Sequence, residues 1–322
     1  MPVFKTGFFC IIVLATLAAV SACDDKAPQP TVAPKAGPSA GAVLKDCETC
    51  PELVVIPPGG FIKGFDGGEP ERYEGAPHAV NIAYSFAVGK TEVTTSQFRA
   101  FIEDTGHVTN STCNIWDGKT AFSTPDTGWS NPGYGRAPAD NEPVACVTWL
   151  DAKAYAAWLS QKTGKTYRLL TESEWEYAAR AGATTHYTWG DDPNGGCAVA
   201  NIGDAATKEL KPPLTPRPFT PATCNDGYPF IAPAGALKPN AFGVYDMIGS
   251  VWEWVEDCYV FPYPANTPTD GRAYLGPQGC DRRVTKGGSW GSAPERQRPT
   301  FRGRDPETLV SQVFGFRIAR EL

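Results

Sequence analysis

The sequence predicts a globular fold of short strands and short helices joined by many turns. Two observations carry that prediction. The 33 glycines and 30 prolines are spread along all 322 residues, which favours turns over long helices. Strand-like runs near both ends enclose three stretches with helical spacing of apolar residues. The length fits one large domain or two small ones, with enough chain to bury a substantial core. The net charge is −6, and Lys and Arg form no long block, so the footprint of a nucleic-acid binder is missing.

The N-terminus reads as a targeting segment. Lys5 precedes an apolar run at 8–20 that is short for a membrane span, as in an export signal. Val20-Ser21-Ala22-Cys23 resembles the bacterial lipobox, which makes 1–22 a signal peptide and Cys23 the lipidated first residue of the mature chain. Asp24 resembles the signal that keeps lipoproteins in the inner membrane, so the expected location is the periplasmic face of that membrane. Residues 23–45, rich in Pro and Ala, are expected to form a disordered tether reaching roughly 70 Å at about 3 Å per residue. Residues 46–322 then form the folded part.

With Cys10 in the signal and Cys23 lipidated, eight cysteines remain, an even number in an oxidising compartment. Sequential pairing is expected: Cys47 with Cys50, Cys113 with Cys146, Cys197 with Cys224 and Cys258 with Cys280. Each pair brackets a loop-like stretch. Cys47 and Cys50 also match a C-x-x-C redox pattern, but no thioredoxin-like strand and helix surround them.

From Leu53, LVVIPPGGFIKG reads as a strand, a turn and a second strand, a hairpin-like opening; 79–88 and 90–93 read as further strand. Thr94 caps a helix at 95–103. A second helix, 149–161, repeats Trp149, Ala152, Tyr155, Ala156 and Leu159 on one face and ends at Gly164. The capping box Thr171-Glu172-Ser173-Glu174 opens a third, which stops at Gly182. Residues 189–230 are irregular, with Cys197 and Cys224 placed to tie them. Residues 261–272 read as loop, 283–290 as a strand entering a tight turn, and 314–319 as a terminal strand.

The stretch 240–258 mixes buried-type aromatics with Asp246 and Glu253 around Gly249. It reads either as a hydrophobic strand with polar punctuation or as an all-oxygen cage for calcium. Gly287-Gly288-Ser289-Trp290-Gly291 fits the G-x-S-x-G nucleophile pattern, but His78, His107 and His186 all precede Ser289 and Pro294 follows too soon for a helix. Three scattered histidines do not support a zinc or iron site. Arg296, Arg298, Arg302 and Arg304 would share one face of an extended chain. They read either as a carboxylate, sulfate or phosphate site or as an internally paired face, with Glu295, Asp305 and Glu307 at hand.

Thr91-Glu92-Val93-Thr94, Pro143-Val144, Val147-Thr148-Trp149, the run 167–180 (YRLLTESEWEYAAR), NAFGVYDMIGSVWEW, the run 283–290 and Gly315-Phe316-Arg317 occur in order. Over roughly 52–319 they resemble the formylglycine-generating enzyme, or sulfatase-modifying factor, family. The resemblance implies a single α+β domain related to C-type lectins, with little regular structure and two calcium ions. One calcium would take the Asn201 side chain, the Ile202 carbonyl, the Asp226 side chain and the Tyr228 carbonyl. The other would take the Asp246 and Glu253 side chains with the carbonyls of Gly249 and Val251.

The two copper-binding cysteines of the formylglycine generators are matched by Ser292 and Gln297, which cannot replace thiolates for monovalent copper. Formylglycine generation through copper is therefore not expected, and the redox cofactor is left unknown. Ser289 and Trp252, which line the family's cleft, are retained. The branch that matures the siderophore pyoverdine is the nearer analogue. Two functions follow. One is an exported, monomeric maturation factor that oxidises a peptide or siderophore-like metabolite, with Glu295 as acid or base, Ser289 and Trp252 at the reacting centre, and Trp290 and the four arginines holding substrate. The other is a catalytically silent, calcium-stabilised module that binds a peptide, glycan or envelope protein.

Overall fold

The computed structural model describes residues 38–66, 74–110, 112–116, 121–208 and 219–322. The expected signal peptide, Cys23 as the expected lipidation site and most of the expected tether lie outside the described residues. In chain order the elements begin with β1 (Val43–Leu44), β2 (Leu53–Ile56), β3 (Gly59–Lys63), β4 (His78–Ile82), β5 (Phe86–Gly89) and α1 (Thr95–Thr105). Then come β6 (Thr112–Trp116), β7 (Ala121–Pro125), α2 (Trp149–Thr163), β8 (Tyr167–Leu169), α3 (Glu172–Arg180) and the short α4 (Ala205–Lys208). The chain closes with β9 (Trp252–Cys258), β10 (Arg283–Lys286), β11 (Gly303–Asp305), β12 (Phe314–Gly315) and β13 (Ile318–Glu321).

The main sheet has the order β1-β2-β5-β13-β8, and its neighbours all run antiparallel. Its strands β2 and β5 read as unbroken apolar runs because both of their faces are covered. Leu53 and Val55 of β2 face a core with Phe98 and Phe101 of α1 and Tyr155 and Leu159 of α2. Val54 and Ile56 face a second core with Trp175 and Ala178 of α3, Met247 and Val284. The second sheet, β11-β10-β9-β12, contains one parallel pair, in which Phe314 lies opposite Trp252 and Gly315 opposite Glu253. That register brings Arg317 to Glu253.

The three longer helices, α1, α2 and α3, start where a threonine supplies the cap. Thr94, Thr148 and Thr171 each accept from the third backbone N–H of their helix, and the third residue's side chain answers to the cap backbone. Gly106 and Gly164 end the first two in left-handed conformation, and Ala181 does so for the third, one residue before the expected Gly182.

Four expectations change. The opening hairpin does not form, because β2 pairs with β1 and β5 whereas β3 pairs with β4. Pro57 and Pro58 separate two strands with different burial, one wholly buried and one alternating. The run 79–88 breaks into β4 and β5, and 90–93 makes no strand. The terminal run splits at Phe316 and Arg317, so that β12 joins the second sheet and β13 the main one. The first strand, at Val43–Leu44, lies within the stretch read as tether.

The four cysteine pairs close as expected, with Cα separations of 4.9, 5.6, 6.0 and 5.2 Å in chain order. Cys113 and Cys146 are buried beside Val310. They anchor the β6–β7 hairpin, an element not anticipated from sequence.

Candidate functional site

The candidate site is built where β10 runs into Gly287 and Gly288, both at positive φ (92° and 76°). A side chain at Gly288 would collide with the Gln297 amide, so the turn can close only with glycine there. Ser289 Oγ and Ser292 Oγ are 2.9 Å apart, and Ser292 Oγ also accepts from the Ser289 N–H at 3.1 Å. Gln297, on a short 3-10 turn at Pro294–Gln297, donates Nε2 to the carbonyls of Ser289 (3.0 Å) and Ser292 (3.3 Å). Its Oε1 is buried with no partner among the described residues. The floor is therefore neutral, buried and internally bonded. The hydroxyl of Ser289 is bonded to another hydroxyl and not to a base, so the pattern of an activated nucleophile is not met. His107 lies at Asp151, 2.7 Å away, in the cap of α2.

Trp252 on β9 packs against Phe301 with ring centroids 5.6 Å apart. Trp290 lies behind the turn, fully buried against Tyr134 and Phe230, with its backbone N–H bonded to the Ser250 carbonyl. That burial withdraws it from any cleft. Glu295 is exposed on the 3-10 turn. The arginines do not share one face, because the Phe301 N–H bonds back to the Arg298 carbonyl and turns the chain. Arg298 is buried and donates to Glu74, as does Thr300. Arg302 is buried and donates to Glu172 at 2.7 Å. Arg296 lies over the Phe301 ring at 5.8 Å, and Arg304 belongs to the edge strand β11.

The first proposed calcium set does come together. Asn201 meets the Asp226 carboxylate at 3.1 Å and the Tyr228 carbonyl at 3.2 Å, and Asp226 accepts from the Ile202 N–H at 2.9 Å. Burial pushes the Asp226 carboxyl up to about 6, with the Asp204 charge adding to it. Asp204, a buried carboxylate that the sequence reading missed, accepts from the Asp226 N–H at 2.6 Å. The Asp226 carboxylate and the Tyr228 carbonyl are oxygens that a hard cation takes, whereas Asn201 turns its Nδ2 donor toward both and gives its Oδ1 to the Ala232 N–H at 3.2 Å.

The second set is divided. Asp246, at φ 52°, accepts from the Gly235 N–H at 2.6 Å and borders a cavity of about 250 Å³. Burial pushes its carboxyl up to about 6. Val251 is buried, and Gly249 sits against the backbone of Asn201, which links the two sets. Glu253 is committed elsewhere. Its oxygens accept from Arg317 Nε at 2.7 Å and from Trp175 Nε1 at 2.7 Å. Beside them lies Glu92, fully buried, with neither oxygen hydrogen-bonded among the described residues and Arg317 at 3.9 Å. Burial first, and then the charge of Asp246, hold Glu92 well above the usual carboxylate range. Its sequence signal is the Thr91-Glu92-Val93-Thr94 motif, which points to no partner for it. Among the described residues no group of three His, Cys, Asp or Glu side chains is arranged for a metal.

Residues 39–322 match the family described as the sulfatase-modifying factor enzyme 1-like domain. The chain is 32% identical to the formylglycine-generating enzyme of Streptomyces coelicolor, over 92% of this chain and 96% of that protein. It is 34% identical to the hercynine oxygenase of Mycolicibacterium smegmatis, over 83% of this chain and 60% of that one. The solved structure of PvdO from Pseudomonas aeruginosa superposes with a TM-score of 0.72 at 34% identity, covering 89% of this chain and all of PvdO.

Proposed function

This chain belongs to the sulfatase-modifying factor family, and from that premise we propose that it is an exported, lipid-tethered maturation factor that oxidatively modifies a peptide or siderophore-like metabolite. The reading is supported by its likeness to PvdO along the whole of that protein, and by the oxygenase named among its relatives. Ser292 and Gln297 stand where copper would need thiolates, so the chemistry is not the copper-dependent formylglycine route. The substrate lies against Trp252 and the 287–297 turn. Glu295, solvent-facing on that turn, is the acid or base candidate. In the second expected set, Asp246, Gly249, Val251 and Glu253, the Glu253 carboxylate is held by Arg317 and Trp175 instead, and calcium binds at Asn201, Ile202, Asp226 and Tyr228. Its role is to hold these loops together.

A second reading, a silent binding module, draws on the neutral Ser289–Ser292–Gln297 floor and on a mouse relative, 30% identical, named as an inactive formylglycine-generating enzyme. Metal analysis of the purified protein, with mass spectrometry of co-purifying ligands, separates the two. Stoichiometric copper or iron removes the silent module. Calcium alone with a bound peptide or glycan removes the redox enzyme.

A further inference from the structure

A second concentration of buried polar groups lies behind α3. Lys63, Lys286 and Arg302 are 1%, 0% and 2% exposed. Arg302 holds Glu172 through Nε at 2.7 Å and Nη2 at 3.3 Å; Lys63 reaches the same carboxylate at 3.3 Å and donates to Ser173 Oγ at 3.1 Å. Lys286 is 3.5 Å from Glu176, which also holds Arg180 at 3.1 Å. The third carboxylate, Asp257, accepts from the backbone N–H groups of Glu172 and Tyr274. Among the described residues, four cations thus meet three carboxylates.

Donors are also left over. The Arg302 guanidinium lies between two phenol rings, 4.7 Å from the centroid of Tyr263 and 4.9 Å from that of Tyr259. Arg302 Nη1 and the hydroxyls of Tyr259 and Tyr263 are buried with no partner among the described residues. Lys63 Nζ lies 5.8 Å from the Tyr263 ring. His78 packs on the same ring at 5.8 Å, but its Nδ1 meets the Ala76 carbonyl. That contact makes Nδ1 the donor and leaves Nε2 an acceptor, unsuited to an anion. Unpaired buried donors are costly, and here they accompany an excess of positive charge.

We propose that Arg302, Lys63, Tyr259 and Tyr263 form a receptor for a small oxyanion group, a carboxylate or a phosphate. Guanidinium, ammonium and phenol O–H are the donors that such oxygens take. The two tyrosines are half-buried, so their rings form the outer wall while their hydroxyls face inward. Phe301, the neighbour of Arg302, packs on Trp252, so the receptor adjoins the candidate cleft across one side chain. There it can anchor the charged end of a ligand that lies in the cleft. The receptor does not depend on the cleft being catalytic.

The competing occupant is ordered water. Isothermal titration of the full-length protein with inorganic phosphate, and separately with acetate, distinguishes the two. Tyr259→Phe and Tyr263→Phe each delete one donor and keep the ring over Arg302, and Lys63→Met deletes the ammonium. The expected result is saturable one-to-one binding of at least one anion, weakened about tenfold by each Tyr→Phe change, with the melting temperature in anion-free buffer not lowered. The anion that binds identifies the group. No saturable binding of either anion, or binding that the Tyr259→Phe/Tyr263→Phe double variant leaves unchanged, overturns the proposal. Because the assay reads no turnover, its failure leaves the oxidative reading standing.

Discussion

Two buried glutamates beside Arg317 should respond in opposite directions to the same substitution. Arg317 is held by Glu253 and by the carbonyls of Gly89 (2.9 Å), Tyr245 (3.1 Å) and Asp246 (2.9 Å). Glu253→Gln removes its nearest counter-charge and sets an amide against a guanidinium. Breaking a buried pair from one side costs about 3–5 kcal/mol. Glu92, at 3.9 Å, can move in and recover part of that. We therefore expect a loss of about 3 kcal/mol, or roughly 6–12 °C in melting temperature for a domain of this size.

Glu92→Gln should do the reverse. The carboxyl of Glu92 titrates well above its ordinary range in the folded protein, so between the unfolded and folded values the folded state holds the extra proton. Stability then falls as pH rises through that window. The glutamine variant lacks this slope, matches the parent below ~pH 4, and is the more stable of the two at pH 7. Urea unfolding followed by tryptophan fluorescence, in chelator at pH 4 and pH 7, measures both. A cost below about 1 kcal/mol for Glu253→Gln, or an equal cost for the two variants at pH 7, would refute this account of the cluster.

Replacing Cys197 and Cys224 by serine opens a loop with a sequence separation of 27 and should cost about 3.5 kcal/mol in denaturant melts. It should also weaken calcium binding, since Cys224 lies just before Asp226 and Cys197 just before Asn201. Calcium should raise the melting temperature of the parent, and Asp226→Asn should remove one equivalent in metal analysis; retention of both would dismiss the Asn201–Asp226 set. Because that carboxyl is pushed up to about 6, calcium affinity should decline as pH falls through 6, when a proton competes for the ligand. Glu295→Ala, at an exposed position, should change stability by less than about 0.5 kcal/mol; turnover that survives it would take Glu295 out of the chemistry.

Local signals made the helices readable in advance. Thr94, Thr148 and Thr171 each precede a residue whose side chain completes a capping box, and that information lies within four positions. Connectivity of the cysteines does not follow from sequence, but the simplest choice, pairing neighbours along the chain, is the one the structure shows. Strand partnership was not legible. Leu53–Ile56 and Gly59–Lys63 are adjacent in sequence yet join different sheets, and the choice is made by β5 and β4, which lie farther along the chain. The arginine row failed for a related reason: alternation implies a shared face only on extended chain, and a turn at 298–301 breaks it. Glu74 carries no pattern of its own, and Glu92 only the Thr91-Glu92-Val93-Thr94 motif, which names no partner. Their importance comes from Arg298 and Arg317, each more than 200 positions away.

The place of β13 has a consequence for how the protein is made. This last strand lies inside the main sheet, between β5 and β8, and pairs with both. Strands from the first third of the described chain therefore wait for the final residues before their sheet can close, and Arg317 enters the carboxylate cluster only then. Such late, long-range closure favours slow folding after synthesis. It also makes loss of the 318–321 strand damaging, since Ile318 and Ala319 are fully buried in the sheet.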